Sequence, residues 1–86
     1  MNDIAAAIAI EQLKKIERFT KIRRKNAQLL SQGLTNITGL ILPAENPNYQ
    51  DAFYQYTIRI TKKFKVSREK FIRYLLSRGI MARIYY

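Results

Sequence analysis

Between Asn2 and Ile37 the apolar positions recur at helical spacing, and the run reads as one long helix. Ile16, Phe19, Ala27, Leu30, Leu34 and Ile37 fall on one stripe, broken at Arg23. Glu11, Lys14, Glu17, Arg18, Lys21, Arg24, Lys25 and Gln28 lie elsewhere around the cylinder. The first two turns differ, because Ile4, Ala5, Ala6, Ala7, Ile8, Ala9 and Ile10 leave no polar face. A helix that is apolar all round has to be enclosed on every side. At about 1.5 Å per residue the run would span roughly 50 Å, whereas a compact domain of this size has a radius of gyration of about 12 Å. Either the helix bends midway or its first half reaches past its own domain. The second alternative is the reading adopted: one partial domain of a larger protein, with Ile4, Ile8 and Ile10 as an interface and a homodimer as the simplest association.

Beyond the helix the period changes. Thr38-Gly39 ends it, and Leu40-Ile41-Leu42 reads as a short buried strand stopped by Pro43. Residues 43–51, rich in Pro, Asn and acidic side chains, form a surface loop. From Phe53 to Thr61 the chain alternates, with Tyr54, Tyr56, Ile58 and Ile60 on one face and Gln55, Thr57 and Arg59 on the other. Ser67 caps a second helix whose inner side is Phe71, Ile72, Leu75 and Leu76, and Gly79 is placed as its left-handed terminator. Alternation returns from Ile80 to Tyr86, with Met81, Arg83 and Tyr85 sharing a face. The expected fold is therefore α/β, more closely an α+β two-layer arrangement in the order α-β-β-α-β. Residues 1–38 are the long helix, straight or kinked, and 39–86 a small β-β-α-β subdomain.

Composition narrows the chemistry. The chain holds 86 residues with no cysteine and no histidine, so thiolate and imidazole metal sites are excluded. Its six carboxylates form no acid-base pair, its serines lack an activating base, and its glycines are isolated. All eight lysines stand among polar neighbours, where no Schiff-base amine would be activated. The apolar start is too short to cross a bilayer. Net charge is +10, which suits a polyanionic partner, though a solvated basic surface or a piece whose acidic half lies elsewhere is the plainer reading. A free-standing basic module that binds nucleic acid or a protein partner is the alternative reading. Against a nucleic-acid platform, Tyr54 and Tyr56 share their face with core isoleucines and so should be packed, whereas stacking rings must face solvent.

The residues also resemble a family. The run Met1 to Lys15 is similar to the helix that follows the cofactor-lysine region in DegT/StrS-type aminotransferases, pyridoxal-phosphate enzymes that aminate keto-sugars on nucleotide carriers. Arg23-Arg24-Lys25-Asn26-Ala27 resembles the family's Arg-Arg-x-x-Ala stretch, and Tyr56-Thr57-Ile58-Arg59-Ile60 and Arg68 to Leu75 continue the likeness. The closing Arg78-Gly79-Ile80-Met81-Ala82-Arg83-Ile84-Tyr85-Tyr86 is similar to its Arg-Gly-Ile-x-x-Arg-Val-x-Tyr segment. The resemblance implies the linking helix and first part of the small C-terminal domain of a fold-type I aminotransferase, cytoplasmic and dimeric. It places the Schiff-base lysine, the acidic partner of the pyridine nitrogen and the cofactor-phosphate asparagine outside this sequence. No cofactor is then expected on this chain alone, while the parent would bind pyridoxal phosphate, a nucleotide-sugar and an amino-acid donor. Arg83, Tyr85 and Tyr86 match the segment that borders the sugar site. Packing of both tyrosines at the sheet edge stands beside that role as an equal alternative.

Overall fold

The computed structural model describes residues 2–85. Five elements follow one another: α1 (Asp3–Leu13), α2 (Ile16–Leu34), β1 (Leu40–Ile41), β2 (Arg59–Ile60) and α3 (Arg68–Ser77). The class is mixed α/β, as expected, and the long helix is two helices. Asn2 starts α1 by accepting the Ala5 N–H on its side-chain oxygen at 2.7 Å. At Lys14-Lys15 the ladder tightens, with the Lys15 N–H bonding the Gln12 carbonyl three residues back at 3.0 Å. The i to i−4 pattern resumes with Phe19 N–H on the Lys15 carbonyl. The break does not fold α1 back over the rest: the molecule is still 53 Å long and its radius of gyration is 17.0 Å.

Strands are fewer than the alternation suggests. Leu40 pairs with Ile60 and Ile41 with Arg59 in one antiparallel ribbon. The expected strand over 53–61 is reduced to Arg59–Ile60, and residues 80–85 lie in no strand. Alternation sorts side chains to two faces, but a strand also needs a neighbour's backbone to bond, and alternation does not supply one. Tyr56, Ile58 and Ile60 keep the expected inward face as half-buried residues. Tyr54 does not, being 79% exposed.

The ribbon is tied down at Gly39. Thr61 donates both its N–H, at 2.8 Å, and its hydroxyl, at 3.1 Å, to the Gly39 carbonyl. Gly39 has φ +91°, and a Cβ there would lie 2.3 Å from the Phe64 nitrogen. Only glycine allows both the turn and the close approach. Phe64 in turn meets Phe71 of α3 edge-on, ring centres 5.0 Å apart. At its start α3 has Ser67 accepting the Lys70 N–H at 3.2 Å. Its end is a Schellman turn: Ile80 N–H reaches the Leu75 carbonyl, and Gly79, at φ +80°, reaches that of Leu76. Phe71, Ile72 and Leu75 are half-buried as expected, while Leu76 is exposed.

Among the described residues Ala27 alone is fully buried, at 4% exposure. The chain exposes 8007 Å², against about 5,300 Å² for a compact protein of its mass. Large apolar side chains are exposed along α1, along α2 and in the segments that follow, among them Ile4, Leu13, Leu29, Tyr54 and Met81.

Candidate functional site

The best-formed region is the cleft where α2 receives residues 43–56. It is lined by Arg24, Ala27, Gln28, Ser31, Gln32, Pro43, Glu45 and Phe53. The half-buried and buried residues of α2 are Thr20, Arg24, Ala27, Ser31 and Leu34, four and three apart. At 100° per residue this docked face lies roughly 60° around the helix from the apolar stripe. Ala27 and Leu34 belong to both, whereas Ile16, Phe19 and Leu30 of the stripe remain exposed.

Arg24 is the hub of the cleft. Its guanidinium pairs with Glu45 at 2.5 Å, donates to the Asp51 carbonyl at 2.8 Å, and lies 6.0 Å from the Phe53 ring centre. Both the Glu45 carboxylate and the Asp51 carbonyl are met by one nitrogen, Nη1, of the guanidinium. Beside it, Arg23 lies 5.9 Å from the Tyr54 ring. One turn beyond Ala27, the Ser31 and Tyr56 hydroxyls are 2.8 Å apart, so Tyr56 is packed with its hydroxyl satisfied, as expected. Phe53 takes φ +50°, and its N–H is held by the Asp51 side chain at 2.8 Å. A non-glycine residue in that region costs on the order of 1–3 kcal/mol and persists where its surroundings fix it.

Arg24 and Ser31 were not prominent in the sequence, where Arg24 reads as one of several surface charges. The available signal was the i, i+3, i+7 series Arg24, Ala27, Ser31, a polar stripe centred on a small residue that a neighbouring backbone can approach.

The residues expected to carry function lie elsewhere. Ile4, Ile8 and Ile10 are exposed at 75%, 59% and 55%. Arg83 directs its guanidinium to the Met81 sulfur at 3.9 Å and is exposed, and Tyr85 is exposed as well. Tyr86 lies outside the described residues. Among the described residues no group of carboxylates converges to hold a metal ion, and no helix is long and apolar enough to cross a membrane. All eight lysines are exposed. A lysine that carries an aldehyde cofactor as a Schiff base works from a shielded, desolvated pocket, so the residues of this chain do not by themselves fit pyridoxal phosphate.

Comparison with known proteins assigns the chain. The aminotransferase family described as DegT/DnrJ/EryC1/StrS matches residues 1–86. The chain belongs to that family. It is 34% identical to the dTDP-4-dehydro-2,6-dideoxy-D-glucose 3-dehydratase of Saccharopolyspora spinosa, over 96% of this chain and 18% of that protein. It is 32% identical to the GDP-4-keto-6-deoxy-D-mannose 3-dehydratase of Escherichia coli O55:H7, over 94% of this chain and 20% of that one. With the dTDP-4-amino-4,6-dideoxy-D-glucose transaminase of Shigella dysenteriae identity is 27%, over 100% of this chain and 23% of the relative. The chain thus spans about a fifth of the length of these DegT-family relatives. No solved structure matches it.

Proposed function

We propose that this chain serves as the linking helix (1–38) and first small-domain segment (39–86) of a pyridoxal-phosphate-dependent enzyme acting on nucleotide-linked keto-sugars. It is a surface-contributing part, not a catalyst on its own. The cofactor, carried elsewhere in the parent, supplies the electron sink for transamination or dehydration at the sugar, with an amino acid as donor in the first case. This segment presents Ile4, Ile8 and Ile10 to the large domain or to a second subunit, and Arg83, Tyr85 and Tyr86 to the edge of the sugar site. The parent works in the cytoplasm as a homodimer.

The observation that carries the reading is the surplus of exposed surface on a helix with no polar side. Ile4, Ile8, Ile10 and Leu13 are all exposed on α1, which buries none of its residues. Contiguous apolar surface of this extent on a soluble chain marks an interaction face. The excess over a compact chain is of the size that obligate interfaces bury.

Sedimentation of the purified chain tests the interface. The wild-type chain self-associates as its concentration rises. The combined variant Ile4→Ser, Ile8→Ser and Ile10→Ser stays monomeric with its helical circular dichroism kept. A wild-type chain that is monomeric at high concentration with α1 helical overturns the self-association. Pyridoxal phosphate added to the chain gives no saturable absorbance band; a saturable band would show that it holds the cofactor itself. Tight binding to RNA or DNA that weakens steeply with salt would favour the basic-module alternative instead.

A further inference from the structure

Residues 43–55 lie across α2 with almost no apolar burial to keep them there. In that stretch only Pro43 and Phe53 are half-buried, and the rest is exposed. What fixes it is polar and converges on one side chain. Arg24 meets the Glu45 carboxylate near its start and the Asp51 carbonyl near its end, with Phe53 against the guanidinium. Phe53 is meanwhile held at positive φ by the Asp51 side chain. A strained residue held by contacts that converge on one group returns to an ordinary conformation when that group is withdrawn.

We propose that residues 43–55 form a strap with two positions, latched across α2 and released, and that Arg24 is the latch. In the latched position the strap covers Ala27 and narrows the cleft over Gln28, Ser31 and Gln32. Release lets Phe53 leave positive φ and bares that floor to another neighbour. The Arg24 and Glu45 side chains are partly exposed, at 21% and 38%, so dissolved salt competes with their pairing and shifts the strap toward release. Arg23 is a bystander, because its partner Tyr54 is itself solvent-exposed. The device belongs to α2 and its loop and does not depend on the assigned enzymatic role.

Chymotrypsin reads the strap directly, since Tyr49, Phe53 and Tyr54 lie in it and Phe71 and Tyr74 in α3 report on general unfolding. Rates in the full chain are scaled to those of a free peptide of residues 43–55 in the same buffer. Arg24→Gln speeds strap cleavage about tenfold, the loss expected for hydrogen bonds from a charged donor, and leaves α3 cleavage unchanged. Arg23→Gln changes neither. If Arg24→Gln also unfolds α3, Glu45→Gln decides. Glu45→Gln speeds strap cleavage severalfold at low salt, and added salt accelerates the wild type but not this variant. Unchanged strap cleavage in a folded Arg24→Gln chain, or a wild-type rate indifferent to salt together with a silent Glu45→Gln, overturns the latch.

Discussion

The two helices that begin the chain are built from similar apolar residues and meet opposite fates. In α1 the isoleucines and alanines surround the axis, no face is preferred, and nothing is buried. In α2 small and polar residues gather along one line, and that line carries Ala27, the Arg24 contacts and the Ser31–Tyr56 bond. Quantity of apolar surface did not decide which helix docks. What decided it was whether one side offered a short residue for close approach and donors for the backbone that arrives. α1 leaves its apolar surface exposed, and α2 docks one side on its own chain.

The sharpest way to break the contrast is a matched pair of single substitutions. Gly39→Ala places a methyl group 2.3 Å from the Phe64 nitrogen at a residue with φ +91°. Backbone cannot yield as a flexible side chain would, so we expect a loss of about 3 kcal/mol or more. Denaturant titration by circular dichroism should show the ribbon and α3 melting first. Ile8→Ala removes apolar volume instead of adding it, but from an exposed site, and should change the stability of the unassociated chain by no more than about 0.5 kcal/mol. If Ile8→Ala proves the costlier of the two, α1 is packed in solution and the contrast is false.

Next in size is the bond that fastens α2 to the segment before β2. Tyr56→Phe removes one hydroxyl from a half-buried pair and leaves the Ser31 hydroxyl free to turn to its own helix. The expected cost is about 1 kcal/mol. In a domain of this size that lowers the melting temperature by roughly 4–8 °C. Ser31→Ala should cost about as much, and the double variant no more than either alone, since both delete one interaction. Additive losses would mean that the two hydroxyls act separately and that Ser31 does not join the two elements.

Legibility in the sequence follows the range of the physics. Signals that act within a few residues were readable at α3, which Ser67 and Gly79 bracket where their caps demand, and at Asn2, which starts α1, whereas α2 ends at Leu34, ahead of the expected stop at Thr38-Gly39. The face of α2 was read only partly, because apolar spacing marks what could be buried, whereas docking also uses the polar Arg24 and Ser31. The strands were least legible. Alternation correctly turned Tyr56, Ile58 and Ile60 inward, but pairing depends on backbone brought from a distant part of the chain, and among the described residues only Leu40–Ile41 meets Arg59–Ile60. The ordered run of family-like segments was readable throughout, and the family match over residues 1–86 agrees with it.

The smallest effect belongs to an exposed charge at the start of α3. Glu69 sits in the first turn of α3, where its own backbone N–H, and then the Arg68 side chain at 3.3 Å, hold its carboxyl below the usual glutamate range. In the unfolded chain neither partner is held against the carboxyl, so folding favours the ionised form. The stabilisation is present above the unfolded value, about 4.3, and is lost as pH falls through the lower folded value. Glu69→Gln should therefore leave the melting temperature nearly unchanged in acid, where both chains lack the charge. It should lower that temperature slightly near neutrality, so the two melting curves converge as pH falls. Because the side chain is exposed, screening keeps the gap small, and added salt should narrow the part due to Arg68. Curves that diverge toward acid would mean that the carboxyl is held neutral in the folded chain, reversing the charge assigned to the start of α3.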